Sequence, residues 1–333
     1  MLRGLDAWAN PSSPHAEGRA ARALLEDARS RVAVALGWPH DVIFTSGASE
    51  AITIAAARAQ VAGRAHGATE HSIVPHAMGP ESTVFPVGAD GIVDQVALDN
   101  VLSAGPTLVA IQAVNNETGI LQPLSVLASR IRDAGSLLLA DCAQSAGKTP
   151  LPDADFIAVS AHKLGGPPGI GALLVRDLAT IGAVGGQEKG YRRGTQDMPA
   201  ALAFAAALEA QAYDMDRLRA LRDLLDDGVR SAGGVVIGED SARLATIGSL
   251  AMPGASSASL VVQFDLAGIA VSAGSACSSG KMKGSEVLGA MAVPAEVAGG
   301  AIRVSFGPET AEAEVNAFLA ECRRIAARSS QAA

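Results

Sequence analysis

Ser160-Ala161-His162-Lys163 places a lysine beside a hydroxyl and an imidazole. These residues follow the apolar run Phe156-Ile157-Ala158-Val159 and precede Gly165-Gly166-Pro167-Pro168-Gly169-Ile170-Gly171. A lysine at the mouth of a buried strand can form a Schiff base once its pKa is lowered. A lone lysine after a strand is usually just a solvated surface group, so the rest of the set decides. Asp141 lies 22 residues earlier, at the end of Leu137-Leu138-Leu139-Ala140. A carboxylate left unpaired there is costly, and a protonated ring nitrogen is one cation that removes the cost. In chain order the polar set is His71, Asn116, Asp141, Gln144, Ser160, His162 and Lys163. It describes a pyridoxal 5'-phosphate (PLP) site in which Lys163 forms the Schiff base and Asp141 holds the ring nitrogen.

The elements that must position these residues alternate. Residues 17–36 read as an amphipathic helix ended by Gly37. Residues 42–45 are a short apolar strand, 46–50 a turn of small residues and 51–62 a helix. A strand, a small-residue turn and a helix N-terminus offer free N–H groups to an anion, and Ser49 adds a hydroxyl. A strand over 83–87 and a helix from Asp94 to Leu102 follow. Residues 107–114 form a continuous apolar run, as a central parallel strand requires, and lead into Asn115-Asn116-Glu117-Thr118-Gly119. A helix over 124–134 and the strand over 137–140 complete the pattern, which predicts a doubly wound α/β domain. Residues 197–230 are mostly helical and form a bridge. Short strands at 235–237, 247–251, 269–272 and 301–305, with helices at 259–267 and 312–328, predict a smaller α+β domain. The expected division is a large domain over 10–205 and a small one over 206–333.

Length and composition bound the rest. The 333 residues are 49% hydrophobic and 18% charged, enough for a substantial core. A net charge of −8 without a basic block, and only 3% aromatics, argue against nucleic acid or an anionic membrane as partner. Charged residues interrupt every alanine-rich run, so no membrane span is expected. The three cysteines, Cys142, Cys277 and Cys322, form no close metal-type pair, and their odd number suits a reducing compartment. Residues 1–14 lack the apolar core of a signal peptide, so a cytoplasmic location is expected. Cys142 and Cys322 read as buried, structural thiols.

The segments resemble those of cysteine desulfurases of the NifS/IscS type, within the class V aminotransferase group of fold-type I PLP enzymes. The resemblance runs through Asn10-Pro11-Ser12-Ser13-Pro14-His15, Thr45-Ser46-Gly47-Ala48-Ser49-Glu50, Thr69-Glu70-His71 and Val114-Asn115-Asn116-Glu117-Thr118-Gly119. It continues through Asp141-Cys142-Ala143-Gln144, Ser160 to Lys163, Arg193-Gly194-Thr195, Gly274-Ser275-Ala276-Cys277 and Ile302-Arg303-Val304-Ser305-Phe306-Gly307. The resemblance implies that Lys163 is the Schiff-base lysine, Asp141 the partner of the ring N–H, Gln144 the donor to the ring's phenolic oxygen, and His71 the group stacked on the ring. It places Ala48, Ser49, Ser160, Ala161 and His162 in the cofactor-binding set, chiefly at the phosphate, with Thr195 contributed by the partner subunit of an obligate homodimer. Ser49 stands where the family usually has threonine, and Ala161 where glycine is common. Asn116 and Arg303 would take the substrate carboxylate, a task suited to arginine's planar fork.

The same resemblance makes Cys277 the nucleophile, set among small polar residues. Its thiolate would attack the sulfur of cofactor-bound L-cysteine, leaving alanine and a Cys277 persulfide, with His71 as the proton-transfer group. Sulfur would then pass to an acceptor protein or iron–sulfur scaffold. No resident metal is expected, Cys277 meeting an iron–sulfur cluster only transiently during transfer. Met1–Ala9 resembles the end of a longer segment in the family and reads as a shortened N-terminal piece. Three further readings remain open: a selenocysteine lyase, another class V aminotransferase-like enzyme, and a truncated non-catalytic paralogue that binds a partner.

Overall fold

The computed structural model describes residues 1–252, 254–274 and 284–332. The chain divides into two compact units. The first comprises Met1–Phe85, Gln95–Ala113 and Gln122–Ala212; the second comprises Pro86–Asp94, Val114–Leu121 and Tyr213–Ala333.

The first unit is built on a seven-stranded sheet. Its elements are α1 (Leu2–Asp6), α2 (Ala16–Ala35), β1 (Asp41–Thr45), α3 (Ala48–Arg58), β2 (Gly63–Gly67), α4 (Ile73–Met78) and β3 (Thr83–Phe85). There follow α5 (Gln95–Ser103), β4 (Thr107–Gln112), α6 (Leu124–Asp133), β5 (Leu137–Asp141), β6 (Phe156–Ser160), β7 (Gly171–Val175) and α7 (Met198–Glu209). The strand order is β1-β7-β6-β5-β4-β2-β3. β3, β2, β4, β5 and β6 run parallel, while β7 is antiparallel to both β6 and β1. The sheet is therefore mostly parallel, as expected, with one reversed strand that the α/β alternation did not announce. Every residue of β4, β6 and β7 is buried, which is why these segments read as unbroken apolar runs. α3 packs on β6 and β7 through Ala51, Ala55 and Ala56, whose small side chains allow close approach.

Close approach also fixes a glycine. A Cβ on Gly171 would stand 2.3 Å from Val159 O and 2.7 Å from Gly47 Cα. Gly171→Ala is expected to destabilise the fold by about 1–3 kcal/mol through overpacking. The readout is the denaturant midpoint of the purified variant; an unshifted midpoint would contradict the contact.

The second unit contains α8 (Met215–Ser231), β8 (Val235–Val236), β9 (Ile247–Ala251), α9 (Ser257–Leu266), α10 (Glu286–Ala290), α11 (Ala295–Ala298), β10 (Ala301–Ser305) and α12 (Glu312–Ala332). β8, β9 and β10 form an antiparallel sheet, whose core includes Leu225, Leu250, Phe264, Ile302 and Phe318. Phe264 and Phe318 stack with ring centroids 4.5 Å apart.

Several boundaries differ from expectation. α3 begins at Ala48 rather than Ala51, because Gly47 serves as its N-cap residue, and it ends at Arg58. The central strand expected to reach Val114 ends at Gln112, beyond which the Ala113 N–H bonds Asp141 O. The helical stretch over 197–230 is broken into α7 and α8, with Gln211 between them at φ 43°. Residues 269–272 form no strand; Ser272 makes only an isolated bridge to Arg303.

Candidate active site

In the first unit the expected residues gather at the ends of neighbouring strands. Asp141 ends β5 and Ser160 ends β6, and these strands pair directly. A single helical turn, Ala161–Lys163, leaves β6 and carries His162 and Lys163. His162 is exposed and Lys163 half-buried. Ser160 Oγ and His162 Nδ1 lie 2.9 Å apart. Burial, and then the Lys163 charge, lower the His162 pKa, so its imidazole is neutral at pH 7. Ala161 is buried, and its N–H is spent on Ile170 O at 3.1 Å.

The Asp141 carboxyl accepts the Ala143 N–H at 2.9 Å. Burial raises its pKa, and the Ala143 N–H bond, then the Lys163 charge, pull it back down. A ring N–H would do the same. His71 lies half-buried just before α4, and its Nδ1 accepts the Ile73 N–H at 3.3 Å. That bond leaves Nδ1 unprotonated and puts the ring proton on Nε2. Gln144 is half-buried, and its carbonyl accepts Lys148 Nζ at 3.0 Å.

The α3 N-terminus lies beside Ser160. A Cβ on Gly47 would stand 3.5 Å from Ser160 Oγ, and Gly47 has φ 153°, a conformation side chains disfavour. The N–H groups of Ala48 and Ser49 have no acceptor among the described residues. Ser49 is exposed and Ala48 buried. Ser46 N–H donates to Glu50 at 2.5 Å, and Arg192 Nε donates to the other carboxylate oxygen at 2.9 Å. The acid of the first turn is thus bound on both sides. Thr195 is exposed, in the segment that precedes α7.

Asn116 and Arg303 belong to the second unit. Arg303 lies on β10 and donates to Asn116 O at 3.0 Å and to Ser272 Oγ at 3.3 Å. Cys277 lies outside the described residues. Cys142 and Cys322 are buried, and burial pushes both thiols up to about 12, which makes them poor nucleophiles.

Three residues near the site were not singled out by sequence. Glu70 Oε1 accepts the Gln112 N–H at 2.9 Å, and Oε2 has no partner among the described residues. Burial holds the Glu70 carboxyl well above the usual carboxylate range, and the Asp141 charge adds to the shift. Its place between Thr69 and His71 was the available signal. Glu188 is buried at 3% exposure although its neighbours in the sequence are polar and glycine-rich. Lys148 is the third; burial, then the Lys163 charge, push it down to about 8 from an ordinary 10.5.

Lys148 gives a pH prediction with a definite sign. Between pH 8 and 10.5 the unfolded chain holds a proton on this residue that the folded chain has released, so stability rises with pH across that window. Below it, the folded protein bears a penalty on the order of 3 kcal/mol. Lys148→Met is therefore expected to be more stable than the wild type at pH 7, with the gap closing by about pH 10. Thermal melts of both proteins at several pH values measure this; a gap that does not change with pH would contradict it.

A lysine and an aspartate thus stand at adjacent strand ends of a mostly parallel sheet, beside a helix N-terminus whose first N–H groups have no acceptor among the described residues. The family model for aminotransferase class-V matches residues 5–318, and the chain belongs to that family. Within it, the chain is 36% identical over 348 residues to a cysteine desulfurase of Bradyrhizobium diazoefficiens, an alignment that covers 97% of this chain and 88% of the relative. Its structure is similar to that of a NifS-like protein from Rickettsia africae, with a TM-score of 0.86, 26% identity, and coverage of 97% of this chain and 93% of the other. It is also similar to SspA in complex with cysteine, with a TM-score of 0.78, 26% identity, and coverage of 93% and 95%.

Proposed function

We propose that this chain is a PLP-dependent cysteine desulfurase that converts L-cysteine to L-alanine and transfers the sulfur to Cys277. The observation that carries the reading is the parallel pairing of β5 with β6, which puts Asp141 and the Ser160–Lys163 turn at the same end of the sheet. The residues present fit the cofactor. Asp141 is desolvated and its carboxyl accepts one N–H, so a cationic ring nitrogen would stabilise it. Gly47 leaves room beside Ser160 Oγ, and the Ala48 and Ser49 N–H groups await an anion. The similarity to the Bradyrhizobium desulfurase and to a structure holding cysteine supports the substrate.

When bound, PLP supplies an aldehyde for an amine and a ring that accepts an electron pair. Lys163 Nζ is the amine that holds it. Asp141 keeps its ring nitrogen protonated, and Gln144 bonds its phenolic oxygen. Ser160 Oγ, His162, Ser49 and the Ala48 and Ser49 N–H groups take its phosphate. Thr195 adds a hydroxyl from the second subunit of a homodimer. Arg303 and Asn116 bind the substrate carboxylate and orient its sulfur. His71 stacks on the ring and moves a proton at Nε2. The Cys277 thiolate attacks the substrate sulfur; the new S–S bond forms as the C–S bond breaks, and protonation of the carbon gives alanine. In this reading a cofactor domain spans residues 10–205, and a smaller domain over 206–333 carries Cys277 and Arg303. The persulfide sulfur would go to an acceptor protein or an iron–sulfur scaffold in the cytoplasm. Among the described residues, no helix is long and apolar enough to cross a membrane.

The test is stoichiometry. With L-cysteine and a thiol reductant, the PLP-loaded protein is expected to yield one alanine per sulfide. Sulfide accompanied by pyruvate and ammonia instead of alanine would indicate a lyase of another type and overturn the reading.

A further inference from the structure

The segment between β7 and α7 is held with unusual firmness for an exposed loop. It passes through left-handed backbone at Gly185, Gly186, Glu188, Lys189, Gly190 and Gly194. For Glu188 and Lys189, at φ 51° and 56°, that conformation is strained. The Glu188 side chain is fully buried, at 0% exposure. Its carboxylate accepts from Arg29 Nη1 at 2.5 Å and Nη2 at 3.0 Å, from Phe44 N–H at 2.7 Å and from Gln196 Nε2 at 2.9 Å. Arg29 is itself fixed on α2 by Val42 O, at 2.8 Å. A buried carboxylate with this many donors, two of them from a guanidinium, is a strong anchor.

A second clasp ties the segment to both ends of α3. Arg192 holds Glu50, whose other oxygen accepts Ser46 N–H, and Arg58 Nη1 donates to Tyr191 O at 2.8 Å. Between these clasps and α7 stands Thr195, exposed, with no hydrogen bond of its own among the described residues. Arg192 and Gln196 are held on either side of this residue, and Thr195 stands exposed between them.

We propose that Glu188 and Arg192 are positioning residues that lock residues 187–196 so that Thr195 is delivered to the cofactor phosphate of the second subunit. The inference rests on the reading of Thr195 given above and deepens it. The clamp acts across the dimer: damage to it in one subunit weakens the other subunit's site. Arg192 has a second effect, because it draws the Glu50 charge away from an anion at the α3 N-terminus. That effect stays within its own subunit, so Glu188 carries the cross-subunit test.

The experiment uses hybrid holoenzyme dimers purified by two tags. One subunit carries Lys163→Ala and an intact clamp. The other carries Glu188→Gln, which keeps the volume of the side chain, and retains Lys163. The readout is the rate at which PLP leaves the lysine-bearing site, followed by loss of its visible absorbance, together with the thermal midpoint of each dimer. The Glu188→Gln homodimer is expected to release PLP about tenfold faster than the wild type, which is the loss of roughly one hydrogen bond to a charged group. In the hybrid the rate is expected to return to that of the wild-type and Lys163→Ala hybrid. Arg192→Gln, at a half-exposed pair, is expected to fold normally, to release PLP faster as a homodimer, and to be rescued in the hybrid only in part. A Thr195→Ala subunit paired with the Lys163→Ala subunit is the control. If that control is rescued and neither clamp variant is, the clamp acts only within its own subunit and the proposal is overturned. If the control is not rescued, the cross-subunit reading of Thr195 itself fails. Homodimeric clamp variants that release PLP at the wild-type rate would overturn the proposal outright.

Discussion

Lys163→Ala is expected to abolish alanine formation from L-cysteine, with kcat reduced by at least about 10³-fold, the scale on which a reacting group contributes. The reason is geometric. Lys163 is delivered by the single turn that leaves β6, directly after His162 of the Ser160–His162 pair, and β6 is the strand next to the one that Asp141 ends. No other described lysine shares that turn; Lys148, the other lysine whose charge reaches it, is engaged with Gln144 O. The fold itself is expected to survive the change, since Lys163 makes no hydrogen bond within the described residues. The variant should therefore melt near the wild type and retain PLP only by its phosphate and ring contacts, without the visible absorbance of the lysine-bound cofactor. Activity within tenfold of the wild type would show that another amine carries the chemistry.

Cys277→Ser is expected to cause a loss of similar size in alanine and sulfide formation while leaving PLP binding intact. A serine hydroxyl is far less nucleophilic than a thiolate and cannot take a sulfur atom as a persulfide. Neither remaining cysteine can substitute, because Cys142 and Cys322 are buried with thiols pushed up to about 12. This variant also separates the competing chemistries. An aminotransferase needs no cysteine at this position and would keep its activity, whereas a desulfurase would still bind L-cysteine and change its spectrum but stop before sulfur transfer. Wild-type rates of alanine formation from Cys277→Ser would exclude Cys277 as the acceptor.

The parts of the fold most legible in the sequence were those where burial is complete or nearly so. β4, β5 and β6 announced themselves as apolar runs, and their polar ends pointed to Asp141 and Ser160. β2 was hidden because Gly63-Arg64-Ala65-His66-Gly67 has no hydrophobic pattern. Arg64 instead turns its guanidinium onto the carbonyls of Ala56, Ala59, Val61 and Gly63, a set of contacts no periodicity reveals. The reversed direction of β7 was equally silent, since the glycine-rich turn before it fits either sense. Residues 269–272 have the composition of a strand, but only Ser272 finds a partner. Glu188 and Glu70 escaped notice for a common reason. Each is a carboxylate buried by residues distant in sequence, Arg29 and Phe44 for one and Gln112 for the other. Local composition marks an acid as exposed, and only tertiary partners reverse that.

The most direct measurement is the absorbance spectrum of the purified, PLP-loaded protein before and after addition of L-cysteine, with alanine assayed in the same sample. The expected result is a visible band that is missing in Lys163→Ala, that changes when L-cysteine is added, and that accompanies accumulating alanine. A protein that stays colourless in excess PLP, or a band that ignores L-cysteine while no alanine forms, would contradict it.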